Sequence, residues 1–374
     1  MAKIKYIYLD DDLRQAEGIA SSLKNNQLEI IAELPKNYSE QIKSMQNYFT
    51  KKNTKNIMQG IIFDLRLSIK GNGVDFAAAG MAQQLRSLAA ENEILDIPII
   101  LCSVDSKLKQ SYNNDLTSHD LFDYYIDKKE ISSNKKIITE KLISLVKGYQ
   151  KINDLKKTNR EITDLFDKIL NLKEKKIMDV EPRLLIALSP DFPTHEFARF
   201  VLKEIIEAQG LLIDETMLGA YLGVDIAKVK LENWKKILTS IKPFKYTGIF
   251  SDAWPRWWAE EIKIWWKKLK NCPGALLLID AQERVDFLNK TFKLQLLPAT
   301  PIEKNYHTCY NTICVATKKP LDVMDALLVK SEEPKTWQQA KYISFIAALK
   351  GSGGYEVHPV DQVRYHQLKN GNTK

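Results

Sequence analysis

The sequence predicts an α/β protein: an N-terminal doubly wound five-stranded parallel sheet, a helical connector and a C-terminal α+β domain. Three observations carry that prediction. Over residues 1–127, short β-rich apolar runs alternate with helix-period segments, the pattern of successive βαβ units. Residues 128–176 contain no proline and a single glycine, Gly148, as a helical stretch would. Residues 177–374 mix helical segments with short strand-like runs. At roughly 100–200 residues per domain, the 374 residues divide into a first domain over 1–149, a connector over 150–180 and an output domain over 181–374.

The elements of the first domain follow in order. Residues 3–9 are β-rich and stop at Asp10-Asp11-Asp12, and residues 13–23 have a helical pattern. Residues 29–33 form a second strand and 39–49 a second helix. Ile61-Ile62-Phe63 reads as a buried strand ending in Asp64. Residues 74–88 form an Ala-rich helix, residues 98–101 an apolar strand ending in Cys102-Ser103, and residues 124–126 a fifth strand before Asp127-Lys128-Lys129. In such a sheet ligands bind outside the carboxyl ends of the strands, where the strand order switches. Asp10, Asp11, Asp64, Ser103 and Lys128 all fall at those ends. Three carboxylates suit a hard, oxygen-seeking Mg²⁺, and one of them can be a nucleophile toward a phosphoryl group. A hydroxyl and an ammonium can hold the phosphoryl oxygens. A lone strand-end Asp is more simply a solvated turn residue; five such positions in this order are not.

With these motifs, residues 1–149 resemble the receiver domain of two-component response regulators, a flavodoxin-like fold. The resemblance implies that Asp64 is the phosphoacceptor and that Asp10 and Asp11 bind Mg²⁺ with Asp64 and the backbone carbonyl of Arg66. It also implies a switch made of Ser103, Tyr125 and Lys128, and a histidine kinase or other phosphodonor as partner. Three departures stand out: the β-branched Val104 follows Ser103, the loop 65–73 lacks a proline and is one residue longer, and Lys129 stands where a proline is expected. Arg66 and Asp105 are placed to pair across the pocket mouth. A pseudo-receiver that senses a partner without phosphate is the alternative.

The net charge of +8 is unevenly placed. Residues 1–127 hold 14 basic and 17 acidic side chains, residues 128–176 hold 14 and 7, and residues 177–374 hold 27 and 23. The connector is therefore the basic element, read here as a lysine-coated solvated face. Ser132 or Ser133 is a candidate N-cap for its helix. Ile152, Leu155, Asn159, Ile162, Phe166 and Ile169 are spaced 3, 4, 3, 4, 3, a short heptad seam with an Asn at one core position. That seam suits either a dimeric coiled coil, hence a homodimer, or a helix packed on its own chain.

In the C-terminal part, Thr194 is a candidate cap for a helix over residues 196–208. Gly219, Leu222, Gly223 and Val229 give residues 215–236 a helix-turn-helix-like spacing, and Lys228, Lys230, Lys235 and Lys236 offer contacts to nucleic acid; an ordinary helical hairpin has the same spacing. The aromatic stretch 254–266 places Trp258, Ile262, Trp265 and Leu269 on one helix face, leaving Trp257 and Ile264 outside it as candidate partner-binding residues. Glu261-Ile262-Lys263 with Asp252 has a nuclease-like spacing but falls in a helical segment. His307, Cys309 and Cys314 lack a fourth metal ligand. No nucleophile–base pair is recognisable, so no enzyme is predicted. Three outputs stay open: a protein-interaction domain, a DNA-binding transcriptional regulator using 215–236, or an effector enzyme. No apolar run of 18 residues occurs, the first twelve residues lack a signal-peptide core, and the four cysteines have no CxxC spacing. These features predict a cytoplasmic protein without a membrane contact or a disulfide framework.

Overall fold

The computed structural model describes residues 3–50, 58–69, 74–104, 120–159, 161–172 and 175–371. The chain forms two compact units, Met1–Leu202 with Thr247–Trp254, and Lys203–Tyr246 with Pro255–Lys374.

In the first unit, β1 (Ile4–Leu9), β2 (Leu28–Glu33), β3 (Gly60–Phe63), β6 (Ile99–Ser103) and β7 (Tyr124–Asp127) make one five-stranded sheet in the order β2-β1-β3-β6-β7. Every pairing in it is parallel. This is the doubly wound order of the flavodoxin-like fold. Its central strands are buried on both faces, so they read as continuous apolar runs, Ile-Tyr-Leu in β1 and Ile-Ile-Phe in β3, as parallel sheets require. Helices α1 (Leu13–Leu23), α2 (Tyr38–Tyr48) and α3 (Ala78–Ala90) connect the strands. Leu9, Phe63 and Leu101 pack with Phe49, Met81 and Leu85 in the core. Asp12 and Asn37 cap α1 and α2 through their side chains, satisfying N–H groups that the first turn leaves open.

Residues 74–77 are not the start of a helix. Val74–Ala77 is β5, antiparallel to β4 (Arg66–Ile69) in a hairpin directly after Asp64. Val74 is buried and Phe76 meets Tyr38 edge-on at 5.5 Å. Here the β preference of Val and Phe decides the backbone, and the helix waits for the alanines.

Neither Ser132 nor Ser133 is the N-cap: both lie inside α4 (Ile131–Thr158), which Glu130 precedes and which is led by a single 3₁₀ turn whose Lys129 N–H is capped by Asp127. The heptad seam does not run on one helix. Asn159 leaves the helical backbone (φ −126°, ψ 113°), its amide donates to the Leu155 carbonyl and the Thr158 hydroxyl, and Lys168 donates to its carbonyl oxygen. The Asn therefore ends α4 instead of setting a coiled-coil register. Residues Ile162–Ile169 form α5 and bury Phe166 and Ile169 within the same unit. Thr194 is not a cap either. It is the first residue of α6 (Thr194–Arg199), after Pro193, and its hydroxyl donates to Asn153 Oδ1 at 2.6 Å; the backbone then widens into a π-helix over Phe200–Ile206.

A buried ionic network fastens the amino ends of β6 and β7. Arg86 of α3 donates to Asp96 at 3.2 Å, to Asp123 at 2.9 Å, and to the carbonyls of Ile97 and Leu121. Asp123 also accepts from Ile99 N–H and from the Tyr149 hydroxyl of α4, at 2.7 Å each. Asp96 accepts from His195 N–H at 2.7 Å, with His195 Nδ1 at 2.8 Å. One guanidinium thus joins α3, the sheet, α4 and α6.

The second unit mixes helices with two-stranded sheets. It contains α7 (Glu215–Leu222), α8 (Leu231–Ser240), α9 (Ala259–Lys268) and α10 (Ala281–Phe292), with β8 (Leu212–Ile213) pairing β9 (Trp257–Trp258). Beyond them β10 (Thr312–Ile313) pairs β11 (Pro320–Leu321), and β12 (Ala326–Leu328) pairs β13 (Tyr342–Ser344). Trp234, Ile262, Trp265, Trp266 and Leu288 form the core. Fully buried Arg284 donates to the carbonyls of Ala220, Tyr221 and Tyr310, answering the carbonyl end of α7. Burial pushes its pKa down to about 10, only partly opposed by charges that include Asp280 and Asp322.

Candidate functional site

The strand order brings the carboxyl ends of β1, β3, β6 and β7 side by side. Asp10 follows β1, Asp64 follows β3, Ser103 ends β6 and Lys128 follows β7. Asp10, Asp64 and Ser103 are buried, whereas Asp11 is exposed. Lys128 Nζ lies 2.8 Å from Asp10 Oδ2 and 2.7 Å from Asp64 Oδ1, and it donates to Gln15 Oε1 at 2.8 Å. Tyr8 donates to Asp10 Oδ2 at 2.7 Å and Asp12 N–H to Asp10 Oδ1 at 3.0 Å. Asp64 Oδ2 accepts from Arg66 N–H at 3.4 Å.

Burial raises the Asp64 carboxyl pKa, and the hydrogen bond and charge of Lys128 offset that only in part. For Lys128 burial acts downward, but Asp10 and Asp64 outweigh it and hold the ammonium above its usual range. Cys102, just below the pocket, is pushed up to about 12 by burial and stays a neutral thiol.

Asp10, Asp11 and Asp64 each offer an oxygen, all within 4.8 Å of one another. This all-oxygen donor set fits a hard divalent cation such as Mg²⁺. Ala78 N–H donates to the Leu65 carbonyl across the β4–β5 hairpin, so Arg66, at the next ladder position, turns its N–H and C=O off the hairpin. Its N–H uses that edge to reach Asp64, and its carbonyl shares the edge. Tyr125, partly buried on β7, meets Phe122 edge-on at 6.0 Å. Asp105 and residues 70–73 lie outside the described residues, and with them the expected Arg66–Asp105 pair.

Two partners in this pocket escaped sequence reasoning. Tyr8 shares a strand face with Asp10 by the two-residue period of β1, a signal available in advance. Gln15 sits one turn into α1, three residues after its cap, where it faces the strand ends.

The other candidates are dispersed through the second unit. Residues 223–230 separate α7 from α8, and Gly223 takes the left-handed backbone (φ 71°) that closes α7. Trp234 Nε1 donates to Glu215 at 2.6 Å, tying the two helices. The lysines do not share the second helix: Lys228 precedes it and pairs with Asp225 at 3.0 Å, Lys230 is its N-cap residue, and Lys235 and Lys236 are exposed on it. Trp257 is no exposed partner-binding residue. It is only 4% exposed and pairs with Ile213 in β9. Ile264 is partly buried on α9, and Trp266 is wholly buried. Trp254 departs from the stretch altogether, packing with Phe250 and Tyr124 in the first unit. Glu261 and Lys263 lie on α9, whereas Asp252 bonds Ser144 in the first unit. His307 is held by Asp325, and Cys314 is buried against Ser344.

No protein-family model matches the chain, and no curated protein is detectably related to it. Among solved structures, the phosphorylated cyanobacterial phytochrome response regulator RcpA is similar at 18% identity and a TM-score of 0.23, over 40% of this chain and 94% of that one. The Salmonella typhimurium response regulator RcsB is similar at 12% identity and a TM-score of 0.24, over 54% of this chain and 92% of that one. The receiver-type fold of the N-terminal part is carried by its own strand order and strand-end carboxylates. Among the described residues, no helix is long and apolar enough to cross a membrane.

Proposed function

We propose that the first unit is a signalling receiver whose Asp64 accepts a phosphoryl group from a partner histidine kinase or another phosphodonor. The observation that carries this reading is one buried carboxylate, at the switch point of the sheet, within hydrogen-bond reach of a lysine and beside two further carboxylates. The charge and hydrogen bond of Lys128 favour the ionised form of Asp64 against the burial that disfavours it, and the ionised oxygen is the nucleophile. As the Asp64 oxygen–phosphorus bond forms, the donor's phosphorus–nitrogen bond breaks and its imidazole keeps the electron pair. Asp10, Asp11, Asp64 and the Arg66 carbonyl would hold Mg²⁺, which when bound supplies positive charge to the phosphoryl oxygens. Ser103 and Lys128 are then the side chains left to hold that group, and Tyr125 follows Ser103 as the two-state element.

Lys128 already satisfies both Asp10 and Asp64, and this supports the second reading, a pseudo-receiver that works without phosphate. The second unit is read as a protein-interaction output, supported by its exposed Leu231, Leu278 and Leu297. DNA binding through exposed Lys235 and Lys236 is the competing output, and salt-dependent binding to duplex DNA separates the two. Beryllofluoride with Mg²⁺ tests the receiver itself. It is expected to change the intrinsic tyrosine and tryptophan fluorescence of the wild type and not of Asp64→Asn; a silent wild type moves the conclusion to the pseudo-receiver.

A further inference from the structure

The lysine excess of residues 128–176 has a structural focus that the phosphoacceptor pocket does not use. In the first unit, a cleft of about 450 Å³ lies between α4, α5 and residues 247–252. Lys147 and Lys151, four apart, share one face of α4, and Lys168 lines the cleft from α5. Among the described residues, Asp252 is the one carboxylate on the lining. It accepts a hydrogen bond from Ser144 and lies 3.8 Å from Lys147 Nζ, both side chains about half exposed, a pairing of little strength. Lys151 is exposed and has no partner among the described residues. The hydroxyls of Thr247 and Ser251 add polar groups to the wall.

The wall opposite α4 is held in an unusual shape. Phe250 has φ 65°, a backbone region that bulky residues rarely enter. Its ring lies so close over Gly148 that a Cβ there would come within 2.0 Å of it. Such conformations persist where the surroundings over-determine them, and they concentrate at ligand-binding sites.

We propose that this cleft binds a small phosphate-bearing anion, of pyrophosphate to mononucleotide size. Among the described residues, three lysines line one open volume against a single carboxylate. Lys151 is free among those residues, Lys147 is only weakly paired and Lys168 donates to the neutral Asn159 amide. The net positive charge therefore favours an anion there, and lysine binds phosphate as a point charge. The volume matches small-molecule sites, whereas a duplex binder recruits more phosphates than three lysines serve.

Calorimetric titration of the full chain with pyrophosphate and with ADP tests this in buffer free of divalent cations, which keeps the Asp64 pocket out of the measurement. Binding is expected in the wild type, at least tenfold weaker in Lys151→Glu, whose site has no partner to lose. Asp252→Asn keeps an acceptor for Ser144 and is expected to tighten binding several-fold. Lys235→Ala, in the other unit, is expected to leave it unchanged. No binding by the wild type, equal binding by Lys151→Glu, an equal loss in Lys235→Ala, or binding of a duplex oligonucleotide alone would each overturn the proposal.

Discussion

Lys128 reaches across the carboxyl edge of the sheet to place its ammonium 2.7 Å from Asp64 Oδ1, while the same atom lies 2.8 Å from Asp10 Oδ2. One cation therefore stands between two carboxylates that a divalent ion would share. Lys128→Ala removes that competitor and leaves two like charges facing each other. The variant is expected to bind Mg²⁺ several-fold more tightly than the wild type in a calorimetric titration, while losing any fluorescence response to beryllofluoride.

Arg86 ties together the buried ionic network of the first unit. Its guanidinium is buried against Asp96 and Asp123, with side-chain exposures of 8%, 9% and 2%. Arg86→Met removes the cation that both carboxylates share and leaves them only their hydrogen bonds from His195, Ile99 and Tyr149; breaking a buried ion pair from one side costs about 3–5 kcal/mol. Urea denaturation followed by far-ultraviolet circular dichroism is expected to show a loss of that order.

The same network sets a pH dependence. Burial alone would raise the Asp96 pKa, but the hydrogen bond from His195 and the charge of Arg86 outweigh it and hold the carboxyl below its usual range. A depressed folded-state value means that the contribution is complete above the unfolded value near 3.9 and is lost as pH falls through the folded one. Stability measured from pH 7 down to pH 3 is expected to fall more steeply in the wild type than in Asp96→Asn, which has no proton to take up.

Gly148 and Phe250 form a testable contact. Gly148→Ala drives a methyl group into the Phe250 ring and is expected to destabilise by about 1–3 kcal/mol, the cost of overpacking. Phe250→Ala opens the space, so the two substitutions together are expected to be less harmful than the sum of the singles in a double-mutant denaturation cycle.

The parallel sheet was legible because strands buried on both faces announce themselves as apolar runs, and Asp10, Asp64, Ser103 and Lys128 because each follows its run directly. The β4–β5 hairpin was hidden by its neighbour: Val74 to Ala77 runs straight into an alanine-rich helix, and four residues are too few for a period to register. The Asn159 seam misled because its spacing continues through a backbone break that the Asn side chain itself makes. Trp257 escaped because helical spacing was extended two residues too far, over the strand Trp257–Trp258. Arg86, Asp96, Asp123, Tyr149 and His195 share no local pattern at all. They meet only after the fold has brought helices and strand starts together, and the same is true of Trp254 on Tyr124.

The central claim is that Asp64 is a phosphoacceptor. Intact-mass analysis after incubation with acetyl phosphate and Mg²⁺, and in parallel with a phosphohistidine donor, tests it most directly. The expected result is one added phosphoryl group on the wild type, labile to hydroxylamine as an acyl phosphate is, and none on Asp64→Asn. A wild type left unmodified by both donors, or an equal modification of Asp64→Asn, would contradict it.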